Sequence, residues 1–382
     1  MFEKTEKLLS RFLDMGVPGY DLMVLRDGEC IYRKLGGYSD LQNKISMTGK
    51  ERYNIYSCSK MITCVAALQL YEKGAFSLDD KLSDFIPEFK EMMVKTPDGL
   101  KKAENPILIK HLFGMSAGFS YNTNSQSIRK AIAETGGDCN TVDVIRYLAE
   151  EPLLFEPGTD WEYSLCHDVL AAVVEVVSKE RFGQYVQKNI FEPLNMTRST
   201  FMLPDEELDT ISPQYVFDGT TKTAVECQNK KKISSYKFGK NYESGGAGAI
   251  STVEDYVKFL EAIRKGDIIL KKETIDLLLC DTLCPEDRVR KKYCWYPAYG
   301  FGLGIRTPIN NGVTDFGWGG AAGAYYAVDR ENKITMYYAQ HLLASPNKIE
   351  RYILYSTIKE DILGEKIDDV EFFFGEKGMP TV

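Results

Sequence analysis

The chain opens on a helical pattern. Over residues 2–15 apolar side chains recur every three or four positions among charged ones, and Gly16 and Pro18 stop the run. The next stretch, YDLMVLRDGECIYRKLGG, has two β-rich runs flanking Asp27-Gly28, a strong signal for a tight hairpin. A second helix is predicted from about Tyr56 to Lys73, where Gly74 closes it. Its apolar positions Met61, Ile62, Val65, Leu68 and Tyr71 fall on one broad face.

From about Asp79 to Phe191 the pattern changes. Helical segments dominate, at Ile107–Leu112, Ser127–Thr135, Thr141–Glu150, Asp168–Lys179 and Phe182–Ile190, and few strand-like runs appear. Polar loops follow, then a helix near Val253–Lys265. The C-terminal part is rich in strands: AGAYYAVD and KITMYYAQ lie on either side of Arg330-Glu331-Asn332, a second hairpin. A last helix covers about Asn347–Leu363. Strands at both ends with helices between them predict an α/β (α+β) fold. One antiparallel sheet is built from residues 1–78 and 192–382, and an all-helical domain is inserted at 79–191.

Composition narrows the function classes. No run of about 18 apolar residues exists, so no membrane-spanning helix is expected. The N-terminal segment scatters charges through its apolar residues, unlike the continuous apolar core of a signal peptide, so a cytoplasmic protein is expected. Net charge is −8, and the one basic cluster, Lys230-Lys231-Lys232, reads as a solvated loop. With no basic stripe to neutralise phosphates, nucleic acid is excluded as a partner.

Nine cysteines at irregular spacing read as free thiols. Cys280, Cys284 and Cys294 have no histidine near them in sequence, so no metal site is expected. The three histidines, His111, His167 and His341, leave little for a metal-dependent mechanism or a Ser-His-Asp triad. No cofactor is implied.

The chemistry suggested by the residues begins at Ser57-Cys58-Ser59-Lys60. A serine three residues before a lysine puts both side chains on one face of a helix. The first turn of that helix also offers unpaired N–H groups and the positive end of the dipole, which suits a nucleophile whose attack creates an oxyanion. A lysine can take the serine proton only in its neutral form, which a closed cleft favours. Ser-x-x-Lys occurs five times, at Ser57, Ser127, Ser234, Ser345 and Ser356, but only Ser57 opens a long apolar-faced helix straight after YNIY. Tyr163 stands in a loop entering the next long helix. With 23 tyrosines in the chain, the residues alone read it by default as a packing aromatic. Gly317, Gly319, Gly320 and Gly323 crowd the start of a strand, where glycine permits close backbone approach or marks a bulge.

Taken together and in order, these segments resemble the serine β-lactamase and penicillin-binding-protein family, in its class C and esterase branch. IYSCSKMIT resembles the nucleophile motif, and LSDFIPEF the entry to the helical domain. ILIKHLFGMSAGF is similar to the family's "HLL…SGL" segment, and FEPGTDWEYS to the segment with its catalytic tyrosine. FEPLNMTRSTF, GGAGAISTVEDYVKF and YGFGLGI match later landmarks, and FGWGGAAG falls at the third motif. The resemblance spans about residues 5–362 and implies a β-lactamase/transpeptidase-like fold, with a central sheet flanked by helices and the site between the sheet and the helical domain. It implies Ser57 as the acylated nucleophile, Lys60 and Tyr163 as a shared general base, and an oxyanion hole from the backbone N–H groups of Ser57 and Ala321.

Two departures shape the expected substrate. The family's Tyr-x-Asn is here Tyr163-Ser164-Leu165, and its Lys/His-Thr/Ser-Gly is Trp318-Gly319-Gly320. Leu165, Trp318, Gly319 and Gly320 thus replace groups that read the amide and carboxylate of a β-lactam or peptidoglycan stem, and such loss weakens polar discrimination. An esterase for small, fairly neutral acyl substrates is the expectation. The alternatives are a D-amino-acid peptidase, amidase or weak β-lactamase, with an arginine such as Arg306 anchoring a carboxylate, or a non-catalytic scaffold of the same fold. His167 reads as a residue of its helix or as a replacement polar contact. Phe372-Phe373-Phe374 in the tail would be costly if exposed, so it is expected to pack on the body or on a second copy in a homodimer.

Overall fold

A computed structural model describes residues 1–227, 237–283, 298–309 and 313–364. The Lys230–Lys232 cluster, Cys284, Cys294 and the triple-phenylalanine tail therefore lie outside the described residues.

The first helix, α1 (Glu3–Asp14), leads into strand β1 (Gly19–Arg26), which turns at Asp27-Gly28 into β2 (Glu29–Asp40) and then a short β3 (Ile45–Ser46). The other strands of the main sheet come from the far end of the chain: β4 (Tyr299–Phe301), β5 (Arg306–Pro308), β6 (Asp315–Gly319), β7 (Tyr325–Asp329) and β8 (Ile334–Ala339). The eight strands run in the order β4-β5-β6-β7-β8-β1-β2-β3, all neighbours antiparallel. β1 and β8 close the sheet, with Asp21 opposite Ala339 and Arg26 opposite Ile334.

The centre of the sheet is covered on both faces, so its strands are apolar throughout rather than alternating. On β8, Met336 and Tyr338 pack with Leu9 and Phe12 of α1 and with Leu354 and Ile358 of the last helix. Their neighbours Tyr337 and Ala339 point the other way, into the core that holds Phe259 and Leu260 of helix Val253–Lys265.

Helix α2 (Ser59–Glu72) departs from its predicted amphipathic character. Every residue from Ser59 to Leu70 is buried, because the sheet part lies on one side of the helix and the helices around Cys166–Ser178 on the other. A helix without a polar face belongs in an interior. Its polar residues find backbone partners: Thr63 Oγ1 donates to the Gly245 carbonyl at 2.7 Å, and Gln69 Nε2 to the Ile269 carbonyl at 3.0 Å.

Residues 79–191 hold helices Ile109–Phe113, Gln126–Glu134, Thr141–Leu148, α3 (Cys166–Ser178) and Phe182–Val186. They are not wholly helical, however. Met93–Thr96 and Gly99–Lys102 form a hairpin turning at Pro97-Asp98. The turn has the chemistry for this, with Pro, Asp and a Gly99 at φ 119°, but the runs on either side are short and half polar. The polar loops after 191 contain a further hairpin, Tyr215–Asp218 with Thr223–Glu226. The last helix is broken into Lys348–Tyr352 and Leu354–Leu363.

Cys30, Cys58, Cys64, Cys139, Cys166, Cys227 and Cys280 are free thiols. No helix among the described residues is long and apolar enough to cross a membrane.

Candidate active site

Ser57 sits in a single 3-10 turn, Tyr56–Cys58, that passes directly into α2. The turn starts abruptly: Tyr56 takes φ 48°, an uncommon value for a bulky residue. Its ring is buried and its hydroxyl donates to Gln214 Oε1 at 2.9 Å, which anchors the strained residue. From behind, Tyr256 of helix Val253–Lys265 donates its hydroxyl proton to the Cys58 carbonyl at 2.8 Å. Ser57 is thereby held at the lip of a cavity of about 760 Å³.

Lys60 lies one turn further in and is fully buried. Its Nζ is 3.3 Å from Ser57 Oγ, 3.3 Å from Tyr121 Oη and 2.8 Å from the carbonyl of Gly246, to which it donates. It lies 4.6 Å from the ring centroid of Tyr163 and 5.3 Å from that of Tyr121. Those two rings stack at 5.3 Å and 6°. A cation over aromatic faces gains about 1–2 kcal/mol in such a desolvated place. No carboxylate lies within 4 Å of Lys60 among the described residues.

The segment Glu243–Ala249 fixes this end of α2 at several points. Besides the bonds of Lys60 and Thr63, the Ala249 N–H donates to Ser59 Oγ at 3.0 Å and the Ile55 N–H to the Ala249 carbonyl at 3.1 Å.

The opposite wall is β6 and the turn after it. Trp318, Gly319, Gly320 and Ala321 line the cavity with Ser57, Tyr121, Trp161 and Tyr163. Gly320 is required by close approach, since a Cβ there would meet the Ile55 carbonyl oxygen at 2.4 Å. That contact brings the third-motif strand against the residue two before Ser57. Trp318 Nε1 donates to Tyr163 Oη at 3.3 Å, and Phe301 meets the indole edge-on at 5.4 Å. Among the described residues, neither the Ser57 nor the Ala321 backbone N–H donates a hydrogen bond.

The structure thus brings Ser57, Lys60, Tyr163, Trp318, Gly319, Gly320 and Ala321 to one place. Leu165 is not among the cavity residues. It precedes the first turn of α3, its side chain buried in the core. The polar contact to Lys60 comes instead from Tyr121, which sequence reasoning missed. Tyr121 stands two residues past the ILIKHLFGMSAGF segment in a polar loop, and nothing local marks its direction.

Arg306 is also not a free anchor. It ion-pairs with Asp315, donates to Tyr325 Oη at 3.0 Å and lies 4.1 Å above the Tyr299 ring. His167 is a core residue: its Nε2 is 3.3 Å from the Phe113 carbonyl and 3.6 Å from Cys64 Sγ, and burial holds the ring neutral, pushed down to about 3.

A serine at a helix start, a lysine within hydrogen-bond distance of it and a tyrosine ring over that lysine thus stand together at one cavity. A profile of the Beta-lactamase family matches residues 5–354, and the chain belongs to that family. It is 28% identical over 338 residues to Esterase EstB of Burkholderia gladioli, covering 81% of this chain and 82% of EstB. Among solved structures it is similar to EstCE1, a hydrolase with promiscuous acyltransferase activity (TM-score 0.76, 22% identity, 92% of this chain and 98% of that one). It is also similar to the octameric penicillin-binding protein homologue from Pyrococcus abyssi (TM-score 0.73, 23% identity, 95% of this chain and 77% of that one).

Proposed function

We propose that the protein is a serine esterase that acylates Ser57 with small, fairly neutral acyl groups and then hydrolyses the acyl-enzyme. The observation that carries this reading is the approach of Lys60 Nζ to Ser57 Oγ at 3.3 Å, with the Tyr163 ring over the same ammonium. Similarity to EstB supports ester chemistry.

In this reading Ser57 Oγ attacks the ester carbonyl, and its proton passes to the Lys60–Tyr163 pair. Such general-base assistance is worth about 10²–10⁴-fold. The N–H groups of Ser57 and Ala321 receive the oxyanion. Each such donor contributes about 3 kcal/mol when it is aimed at the developing charge. Tyr163 returns the proton to the departing alkoxide as the tetrahedral intermediate collapses. A water activated by the same pair then releases the acid.

The cavity supports a preference for apolar acyl groups, because Trp161, Tyr163, Trp318 and Ala324 form much of its wall. Trp318, bonded to the tyrosine hydroxyl, stands where relatives carry a polar or cationic residue. We place the site between the 79–191 segment, which supplies Tyr121 and Tyr163, and the sheet part, which supplies Trp318 to Ala321.

One observation favours the reading with a carboxylate-bearing substrate. Arg351 lines the cavity, is 6% exposed, and its Nε and Nη1 have no hydrogen-bond partner among the described residues.

Hydrolysis of p-nitrophenyl butyrate and of a chromogenic cephalosporin, by wild type and Ser57→Ala, tests the choice. Ester turnover lost in the variant, with little cephalosporin turnover, is the expected result. Dominant cephalosporin turnover would move the assignment to the Arg351 reading. Absence of Ser57-dependent turnover of either substrate would leave a narrow peptidase or a scaffold, which a screen of D-amino-acid amides separates.

A further inference from the structure

Asp168 is the third residue of α3 and is fully buried. No sequence motif singles it out. One of its oxygens, Oδ1, accepts from Tyr242 Oη at 2.8 Å and from Ser244 Oγ at 2.6 Å. The other, Oδ2, has no side-chain partner among the described residues and faces the backbone of Gly246. Gly246 is the residue whose carbonyl accepts from Lys60. A Cβ built on Gly246 would lie 2.5 Å from Asp168 Oδ2 and 3.3 Å from Lys60 Nζ. The carboxylate and the ammonium are therefore separated by the width of one glycine.

This arrangement is hard to account for by packing. A buried carboxylate held mainly by hydroxyl donors is unfavourable unless a charge nearby compensates it. Lys60 supplies that charge. Burial pushes the Asp168 carboxyl above the usual carboxylate range, and the Ser244 hydroxyl, Lys60 and the Tyr242 hydroxyl pull it back. The titratable groups around the pair are Cys58 from the turn before α2, Cys64 from α2, Tyr121 and Tyr163 from the loops, Cys166 and His167 from α3 itself, and Tyr242 beyond. His167 is held neutral by burial, and the thiols of Cys64 and Cys166 are pushed up by it.

We propose that Asp168 is a positioning residue for the Ser57 reaction, a buried counter-charge that acts across Gly246 on the Lys60 ammonium and holds it against Ser57. Tyr242 and Ser244 fix the carboxylate, and Gly246 keeps the gap narrow. The proposal rests on the esterase reading for its catalytic meaning, but the charge coupling exists whether or not esters are the substrate.

The test separates the two. In the Ser57→Ala protein, competitive labelling of lysines with acetic anhydride across pH, followed by digestion and mass spectrometry, reads the neutral fraction of Lys60 without turnover. Asp168→Asn keeps the shape and an acceptor for Tyr242 and Ser244 but removes the charge. The expected result is that half-labelling of Lys60 moves toward acid by about one pH unit, roughly tenfold more neutral lysine at a given pH below the midpoint. With Ser57 intact, the acid limb of p-nitrophenyl butyrate hydrolysis moves the same way. An unmoved half-labelling pH in a folded Asp168→Asn protein would overturn the proposal, leaving Asp168 as a tie for residues 242–244. Should that variant not fold, Ser244→Ala strips one donor from the carboxylate. The carboxyl is then pushed further up and its counter-charge on Lys60 weakens, so half-labelling moves toward acid, by less than in Asp168→Asn; no movement overturns the proposal equally. Loss of ester turnover in wild type with a labelling shift in the variant would refute the esterase reading and keep this one.

Discussion

Arg306, which lines the cavity, and Lys60, which lies behind Ser57, are both buried cations, and they are managed in opposite ways. Arg306 has a carboxylate in contact, Asp315, whose other oxygen accepts from Tyr299 Oη at 2.6 Å, and aromatic rings enclose the guanidinium. Lys60 has rings too, but its direct partners are a serine, a tyrosine and one carbonyl, with the nearest carboxylate set back behind a glycine. A contact ion pair fixes a charge permanently. A carboxylate held at one remove, with hydroxyls between the lysine and the cavity, leaves a proton free to move. The first arrangement is architecture for β5 and β6, and the second is suited to chemistry.

The comparison is broken most sharply by exchanging the losses. Lys60→Met is expected to lower ester turnover by at least 10³-fold, read by steady-state kinetics, and to cost less stability than the loss of Arg306, read by thermal unfolding, because Asp168 is not in contact with Lys60 and its carboxyl, already pushed up by burial, can take a proton. Arg306→Met should do the reverse. It strands Asp315 in the interior and destabilises by about 3–5 kcal/mol, as breaking one partner of a buried pair does. The double variant Arg306→Met/Asp315→Leu should recover most of that loss in urea unfolding. If Arg306→Met instead abolished turnover in a fully stable protein, Arg306 would belong to the chemistry.

A smaller effect sharpens the Lys60 side. Tyr121→Phe removes one hydroxyl 3.3 Å from Nζ while keeping the ring stacked on Tyr163. About tenfold lower kcat with KM nearly unchanged is expected, since one neutral hydrogen bond is worth about 1 kcal/mol and one to a charged group more.

The smallest effect concerns stability against pH. His111, His167 and His341 are all held neutral by burial, pushed down from 6.5 to about 4, about 3 and about 4. The folded state therefore binds fewer protons than the unfolded chain below pH 6.5, and stability falls as pH drops from about 6.5 toward 4. His341→Asn should flatten that fall in chemical unfolding between pH 6.5 and 4. An unchanged slope would exclude His341 as a contributor.

How much of the molecule is legible in its sequence depends on the range of the signal. Helix Val253–Lys265, the Asp27-Gly28 turn and the antiparallel pairing of the two chain ends are carried by local periodicity and turn chemistry, and all three are present in the fold. Ser57 and Lys60 are three residues apart on one helix, so their meeting needs no tertiary knowledge. Tyr121, Asp168 and Gly246 come together from three separate segments, and no local pattern carries that juxtaposition. Leu165 misleads for a related reason. Its place beside Tyr163 in sequence suggests a place beside it in the cavity, but the start of α3 turns its side chain into the core. The hairpin at 93–102 is hidden by short, half-polar strands whose neighbours are helical.

The pairing of β1 with β8 has a consequence for how the molecule is made. Residue 21 hydrogen-bonds beside residue 339, so β1 and β2 leave the ribosome long before their partner exists. A loop of that length closes late and slowly. Until it does, the apolar face of β1 and the all-buried helix α2 have no permanent cover, and such surfaces invite aggregation. Ser57 is synthesised early, yet Trp318 and Ala321, which line the same cavity, arrive far later in synthesis. A chain that hydrolyses esters through Ser57 therefore acquires that activity in a single late event, and a nascent fragment carrying the serine alone is chemically silent.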